Sequence, residues 1–469
     1  MNVQQNVSEN NRVVFFSIIL YCITFIGYIL IPAIREPNNI GAFLTLVTLH
    51  SIVGYIVWVK IRHQTLTLPL LLLLFLVPRL IIVPMLPWLS DDVYGYLWYG
   101  RLAVHGMNPF IDGADSPLFS HLRNSSYDLL AYKQFPAIYP PLAEVFMALG
   151  VGIGELFSKE WFTAFMGWKA VLFIGELIAF FILIRKRNVE SDSLRKGIIL
   201  FLLSPLPVIE IIGQGHNDGL LLPFIAIMII ILNNRKEWSL SKVIYLGVLI
   251  GCMTSIKVYP IVLILPLLLY RSVSIRHKAI LCTSFVVTVV ALALPFFYDY
   301  HALNNFVEIL KFYNLTSFNS PPLLFMREIA QILGSEKWWE IAPKLVTIAR
   351  VSSIGIIGVL FYRMLKRNQN VDTINALLFV QFMMLLAFTL ISPKVHTWYF
   401  VPLLFLNCIV CSRAIAFVLP LQLFSYSLYL LAIPKELFYL EWLVWGIFIV
   451  AFILEFPYLK TRLMQKHIG

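Results

Sequence analysis

The sequence predicts an all-α integral membrane protein, a polytopic helical bundle of about 14 spans, between roughly 12 and 15. Three observations carry this. Of 469 residues, 59% are hydrophobic and only 13% charged, against roughly 25% charged residues in an ordinary soluble domain. Stretches 13–33, 41–59, 345–362 and 373–392 reach or approach the ~20 apolar residues that a helix needs to cross hydrocarbon. The Lys and Arg residues gather in short clusters between apolar runs, where they orient spans. The net charge of +11 is therefore explained without nucleic acid, which is excluded as a partner.

The first apolar stretch, 13–33, follows a polar segment whose basic residue is Arg12 and lacks a small-residue cleavage pattern, so it reads as a retained span. Basic clusters at Lys60/Arg62, 185–196, 235–242, 271–278, 363–367 and 460–466 place those segments in the cytoplasm. Segments 34–40, 87–140, 213–218, 298–344, 393–398 and 434–440 then face outward, both termini lie inside, and about fourteen crossings satisfy the alternation. Residues 141–157 break the parity. They read as an interfacial or re-entrant helix, opened by Pro140-Pro141 and loosened by Gly150, Gly152 and Gly154. No repeat, low-complexity tract or soluble linker divides the chain, so 1–469 is one multi-span membrane domain.

Two span pairs are short: 198–212 with 219–233, and 243–258 with 259–270, each member rising only ~18–24 Å as a helix. Their turns, Gly213–Gly219 and Ser255–Pro260, should sit at or near membrane depth. Irregular polar backbone is tolerated there where it lines a cavity or is buried in protein. The outward segments 87–140 and 298–344 are long enough to fold over the membrane. The first carries eleven Trp, Tyr and Phe residues, a density suited to interfacial helices at headgroup level and also to stacking against sugar rings. Cys22, Cys252, Cys282, Cys408 and Cys411 all lie in apolar runs, which predicts neither a disulfide framework nor a zinc site.

Asp91 and Asp92 follow the third span directly. Adjacent carboxylates at a membrane boundary can act as a general base, anchor hydroxyls or bind a cation, and they can equally cap an interfacial helix that starts near Val93. On such a helix Tyr94, Trp98 and Arg101 share a face at i, i+4 and i+7, bringing rings and a cation toward the carboxylates. His216 and Asp218 stand in a glycine-flanked turn, and ionisable groups in an apolar region are functional suspects. Asp91, Asp92, His216 and Asp218 could share a hard cation, but nothing fixes their separation, so neither metal nor cofactor is predicted. Lys257 has no acidic residue within several positions; a lipid phosphate would neutralise it, unless its amine snorkels to the surface. Snorkelling is the expectation for Arg79. Lys169 and Glu176, ~10 Å apart along one span, each need a partner from another helix, and Glu210 either is one such partner or faces the cavity. Trp398 and Tyr399 read as interfacial anchors, while His396 faces the side that carries Asp91.

Asp91-Asp92-Val93-Tyr94 with Tyr96-Leu97-Trp98 and Gly100-Arg101, then Gly106-Met107-Asn108-Pro109-Phe110, Tyr139-Pro140-Pro141-Leu142, Gly215-His216-Asn217-Asp218 and Lys257 together resemble the GT-C glycosyltransferases. The resemblance covers roughly residues 65–400 and is closest to the bacterial polyprenyl-phosphate-mannose-dependent mannosyltransferases. Gly95 stands where Arg is common in that pattern, and Tyr99 where Asp is common. The resemblance implies a GT-C-like fold in a bacterial plasma membrane, with the active site facing outward. It also implies Asp91 or Asp92 as the base that activates an acceptor hydroxyl, and a sugar donor carried on polyprenyl phosphate.

The expected site is then Asp91 and Asp92 for catalysis, Lys257 and Arg101 for the donor phosphate, and His216, Asp218, Tyr94, Trp98, Tyr139 and His396 for substrate. The expected reaction is inverting transfer of a hexose, mannose by resemblance, to a glycan or lipid-linked acceptor, with membrane lipids around the enzyme. The competing expectations are a secondary transporter, which also has broken helices and intramembrane charge, and an O-antigen-type polymerase or ligase.

Overall fold

A computed structural model describes residues 2–31, 37–64, 66–185, 192–233, 238–315, 318–332, 334, 338–367, 373–426 and 439–464. Parts of the segments 34–40, 185–196, 235–242, 298–344, 434–440 and 460–466, on which the expected topology rests, lie outside the described residues. The described chain is helical, and among those residues the extended pairing is one isolated parallel bridge, Phe318 to Lys394.

Among the described residues six helices are long and apolar enough to cross a membrane, and a seventh crossing forms if the bent pair Leu194–Leu202 and Pro205–Gly213 is one span. Seven shorter apolar helices of 10–17 residues accompany them. The expected crossings fall on these segments, of which six or seven have full spanning length. In the helix Ile275–Ala293 only 6% of the apolar stretch is buried inside the protein. Such a surface is stable against lipid and not against water.

The chain forms two compact units. One comprises Met1–Ser90, Arg187–Gln214 and Asn407–Lys460. Its helix Leu68–Ile82 carries Arg79, which is fully buried and does not snorkel. The side chain folds back along its own helix, Nη1 donating to the Phe75 carbonyl at 2.9 Å with the guanidinium 4.1 Å from the Phe75 ring. The bent pair breaks at Ser204, where Pro205 supplies no backbone donor. It continues as a π-helical turn, Val208–Gly213, in which buried Glu210 accepts from the Tyr426 hydroxyl at 2.9 Å. Glu455 accepts from the Arg413 and Ala414 backbone N–H groups at 3.1 and 3.2 Å and from the Ser412 hydroxyl at 2.7 Å. A buried carboxylate thereby satisfies the open end of the helical turn Ala414–Val418.

The second unit comprises Asp91–Lys186, Gly215–Leu406 and Thr461–Gly469. Helices Asp92–Val104, Pro141–Glu155 and Trp161–Arg185 pack side by side in it. The helix Pro141–Glu155 is only 15 residues long. Its glycines do not loosen it, as their number suggested, but let backbones touch. A Cβ at Gly150 would lie 2.8 Å from Trp168 Cα, and one at Gly100, on the helix facing it, 2.6 Å from the Met147 carbonyl. The segment 105–140 holds two short 3-10 turns, Pro117–Leu122 and Tyr127–Leu129. It is tied to the helix Tyr300–Leu315, since Asn305 donates to the Ile111 carbonyl at 2.7 Å, and to the segment before that helix, since Asn108 donates to the Phe296 carbonyl at 2.6 Å. Phe110 is buried among Phe296, Phe297 and Phe306.

Candidate active site

All the residues that form the site belong to the second unit. Asp91 is the N-cap of the helix Asp92–Val104, though its side chain makes no capping bond. Asp92 opens the first turn, and Tyr96, one turn later, stands on the same face. The Tyr96 and Tyr139 hydroxyls each lie 3.4 Å from Asp92 Oδ2 and 3.3 Å from one another. The face of Tyr94, Trp98 and Arg101 points elsewhere. Tyr94 packs edge-on against Trp161 and Trp98 against Phe119 and Tyr127. Arg101 pairs with Glu155 at 3.3 Å and donates to the Lys159 carbonyl at 3.2 Å. It lies nine residues beyond Asp92, or ~13 Å along the axis. The sequence grouping therefore does not bring rings and a cation to Asp92: positions two apart on a helix diverge by about 200°.

Tyr139 is placed by the segment after it. Pro140 and Pro141 start the helix Pro141–Glu155, and its first free N–H groups, those of Leu142 and Ala143, donate to the Ser255 carbonyl at 2.8 and 3.3 Å. This joins the Tyr139-Pro140-Pro141 motif to the break that carries Lys257. Lys257 is buried, so it does not snorkel, and Asp218 supplies its counter-charge at 3.2 Å. No lipid phosphate is required for that. Its amine lies 4.6 Å from the Tyr139 ring and 5.4 Å from the Tyr399 ring, and Asp218 also accepts from the Tyr259 hydroxyl at 2.8 Å.

The turn before Asp218 needs its glycine. Gly215 has φ +79°, in the left-handed region, and a Cβ there would meet Phe165 and Val93 at 3.0 and 3.2 Å. The Gly215 carbonyl accepts from Trp168 Nε1 at 2.7 Å. His216 then sits with Nδ1 3.3 Å from the Tyr96 hydroxyl and its ring stacked on Trp398, 3.7 Å between centroids. The other face of Trp398 is covered by His396 at 4.3 Å. Trp398 is thus an internal packing plate, neither an interfacial anchor nor an open sugar platform. Asn217, between His216 and Asp218, is fully buried with neither amide atom hydrogen-bonded among the described residues.

Burial pushes the half-buried Asp92 carboxyl above its ordinary range, while Lys257 and Lys394 pull it down and Asp91 pushes it up. Burial lowers Lys394 to about 8, against the opposing pull of Asp92. His216 is held neutral by burial, then by the charge of Lys257, and His396 by burial, then by Lys394 and Lys257. The site therefore offers a carboxylate with raised basicity, tyrosine hydroxyls and two ammonium groups. That set can take a proton from an alcohol beside stabilised negative charge. Among the described residues no group of three or more His, Cys, Asp and Glu is arranged to hold a metal ion.

Asp92, Tyr139, His216, Asp218 and Lys257 come together, with His396 joined through Trp398. Tyr96, Trp168, Tyr259 and Lys394 were not anticipated. The i+4 spacing from Asp92 was the available signal for Tyr96, and the two-residue step from His396 for Lys394.

Residues 137–393, more than half of the chain, match the model of glycosyltransferase family 87. A probable alpha-(1->6)-mannopyranosyltransferase of Mycolicibacterium smegmatis is 28% identical over 190 residues, 38% of this chain and 32% of that relative. An alpha-(1->6)-mannopyranosyltransferase of Mycobacterium tuberculosis is 28% identical over 152 residues, 32% of this chain and 24% of the relative. The matched part thus spans about a third or less of these curated relatives. No solved structure gives a significant match.

Proposed function

The chain belongs to glycosyltransferase family 87, and on that premise we propose that it transfers mannose from a polyprenyl-phosphate donor to a glycan or lipid-linked acceptor at the non-cytoplasmic face of a bacterial plasma membrane. The observation that carries this is the surroundings of Asp92: a carboxyl of raised basicity touched by two tyrosine hydroxyls, in the field of Lys257 and Lys394. Asp218, in the same cluster, stands in the first turn of the apolar stretch Asn217–Asn233. A donor whose phosphate is anchored to a lipid needs a base, a counter-charge and membrane proximity in one place. The mannosyl specificity follows the named activity of the two mycobacterial relatives.

In the proposed step Asp92 takes the proton of the acceptor hydroxyl, and the oxygen attacks the anomeric carbon opposite the phosphate. The new C–O bond forms as the bond to phosphate breaks, through an oxocarbenium-like transition state. One displacement inverts the configuration, and polyprenyl phosphate leaves with the electron pair. Lys394 and Lys257 stabilise its charge. Arg101 acts elsewhere, as the partner of Glu155.

The test is transfer of radiolabelled mannose from polyprenyl-phosphate-mannose to membrane acceptors. Asp92→Asn should lower kcat by about 10²–10⁴-fold, and Asp91→Asn by far less. Equal losses in both would remove the assignment of the base to Asp92. No transfer by the wild type from any lipid-linked sugar would sink the reading and favour a transporter.

A further inference from the structure

We infer that Phe318 is a positioning residue for the Asp92 carboxylate, acting from the second long segment through two separate connections that converge on the base. The inference rests on the proposed role of Asp92.

The first connection runs through rings. Phe318 stacks on His396 with centroids 4.7 Å apart and planes at 19°. His396 stacks on Trp398 at 4.3 Å and 9°, and Trp398 on His216 at 3.7 Å and 13°. Four rings thus form one nearly parallel column, in which a shift of an end ring displaces the next because packed groups have no free space between them. The column ends at His216 Nδ1, 3.3 Å from the Tyr96 hydroxyl, which is itself 3.4 Å from Asp92 Oδ2. A tyrosine hydroxyl carries one proton. The position of His216 therefore governs whether that proton is directed to the imidazole or to the carboxylate.

The second connection runs through the backbone. Phe318 N–H donates to the Pro393 carbonyl at 3.0 Å, and Val395 N–H to the Phe318 carbonyl at 2.9 Å. These two bonds flank Lys394 and fix its Cα. Lys394 in turn acts on the charge of Asp92. The groups acting on that carboxylate include Asp91, Tyr96 and Tyr99 on its own helix, Tyr139 before the next helix, and Lys257 and Lys394 from two further segments. Asp218 and His216 act on it through Lys257 and Tyr96. Phe318 reaches Lys394 by the bridge and His216 by the column.

A phenylalanine that only fills space would, when removed, reduce the amount of folded protein and leave the chemistry of the remainder intact. A positioning residue would alter the pH dependence as well. The experiment measures kcat and kcat/KM against pH for the full-length enzyme in lipid nanodiscs, comparing wild type, Phe318→Leu, Phe318→Tyr and Asp92→Asn, each normalised to folded protein. Phe318→Leu should lower kcat about 10- to 100-fold and move the acid limb of kcat/KM to higher pH. Phe318→Tyr, which keeps the ring of the column, should retain both, and the main-chain bridge persists in every variant. If Phe318→Leu is not recovered folded, Phe318→Met, of similar volume and without a ring plane, is read by the same criteria.

A Leu or Met variant with wild-type kcat and acid limb, alongside an inactive Asp92→Asn, overturns the inference and leaves the transferase reading standing. A loss that is uniform across pH also overturns it. Full activity in Asp92→Asn, or no transfer by the wild type, removes the proposed chemistry first and the inference with it.

Discussion

Asp92 has to be ionised to accept a proton, and its burial moves ionisation above the ordinary carboxylate range. Transfer should therefore fall as pH drops through that raised value. The positive charges of Lys257 and Lys394 oppose the shift, so removing one raises the carboxyl further. Lys394→Met should accordingly move the acid limb of kcat/KM to higher pH, whereas that limb would vanish if Lys394 itself were the titrating group. At this scale the sequence was informative about chemistry and less so about pairing. Asp92, His216, Asp218 and Lys257 all stood out as ionisable groups beside apolar runs. That Asp218 neutralises Lys257 was not legible, because 39 residues and a helix hairpin separate them and local spacing carries no information on such contacts. The face of Tyr94, Trp98 and Arg101 is in phase with Asp91, and counting from Asp92 gives Tyr96 instead.

The helices Asp92–Val104, Pro141–Glu155 and Trp161–Arg185 hold the site at a separation set by glycine. Gly100 and Gly150 leave no room for a side chain at backbone-to-backbone contacts. Gly150→Val should cost about 1–3 kcal/mol by overpacking, read as a lower melting temperature in detergent. Because Trp168 is both the neighbour of Gly150 and the donor to Gly215, transfer should fall further than the loss of folded protein explains. Unchanged activity per folded molecule would show that the site tolerates the displacement. Composition alone made Gly150 resemble a flexible point. The same absence of a Cβ permits close packing, and only the partner surface distinguishes the two uses.

On the scale of the whole molecule, the apolar segments and their order were legible, since hydrocarbon imposes length and composition on any helix that crosses it. The number with full spanning length was not, because broken and short helices satisfy the same composition. The resemblance to GT-C enzymes rested on the order of motifs over a long stretch, and the family match falls within it. A membrane-embedded enzyme of this kind should require a lipid-linked sugar. In membranes stripped of polyprenyl phosphates, a water-soluble nucleotide-mannose should give no transfer, and adding back polyprenyl-phosphate-mannose should restore it. Direct transfer from the nucleotide sugar would refute the donor assignment.

The junction between Ser255 and the helix Pro141–Glu155 has one more consequence. Helix N-termini commonly bind phosphate through their open N–H groups. Here Pro141 has no N–H, and those of Leu142 and Ala143 are taken by the Ser255 carbonyl. The positive end of the helix nearest Tyr139 is therefore closed to anions, and in the proposed reaction recognition of a donor's phosphate would fall to side-chain charges. Ammonium groups hold a phosphate as point charges, without a fixed donor geometry. Such a site would discriminate poorly between phosphate shapes, leaving selectivity to the groups that touch the sugar.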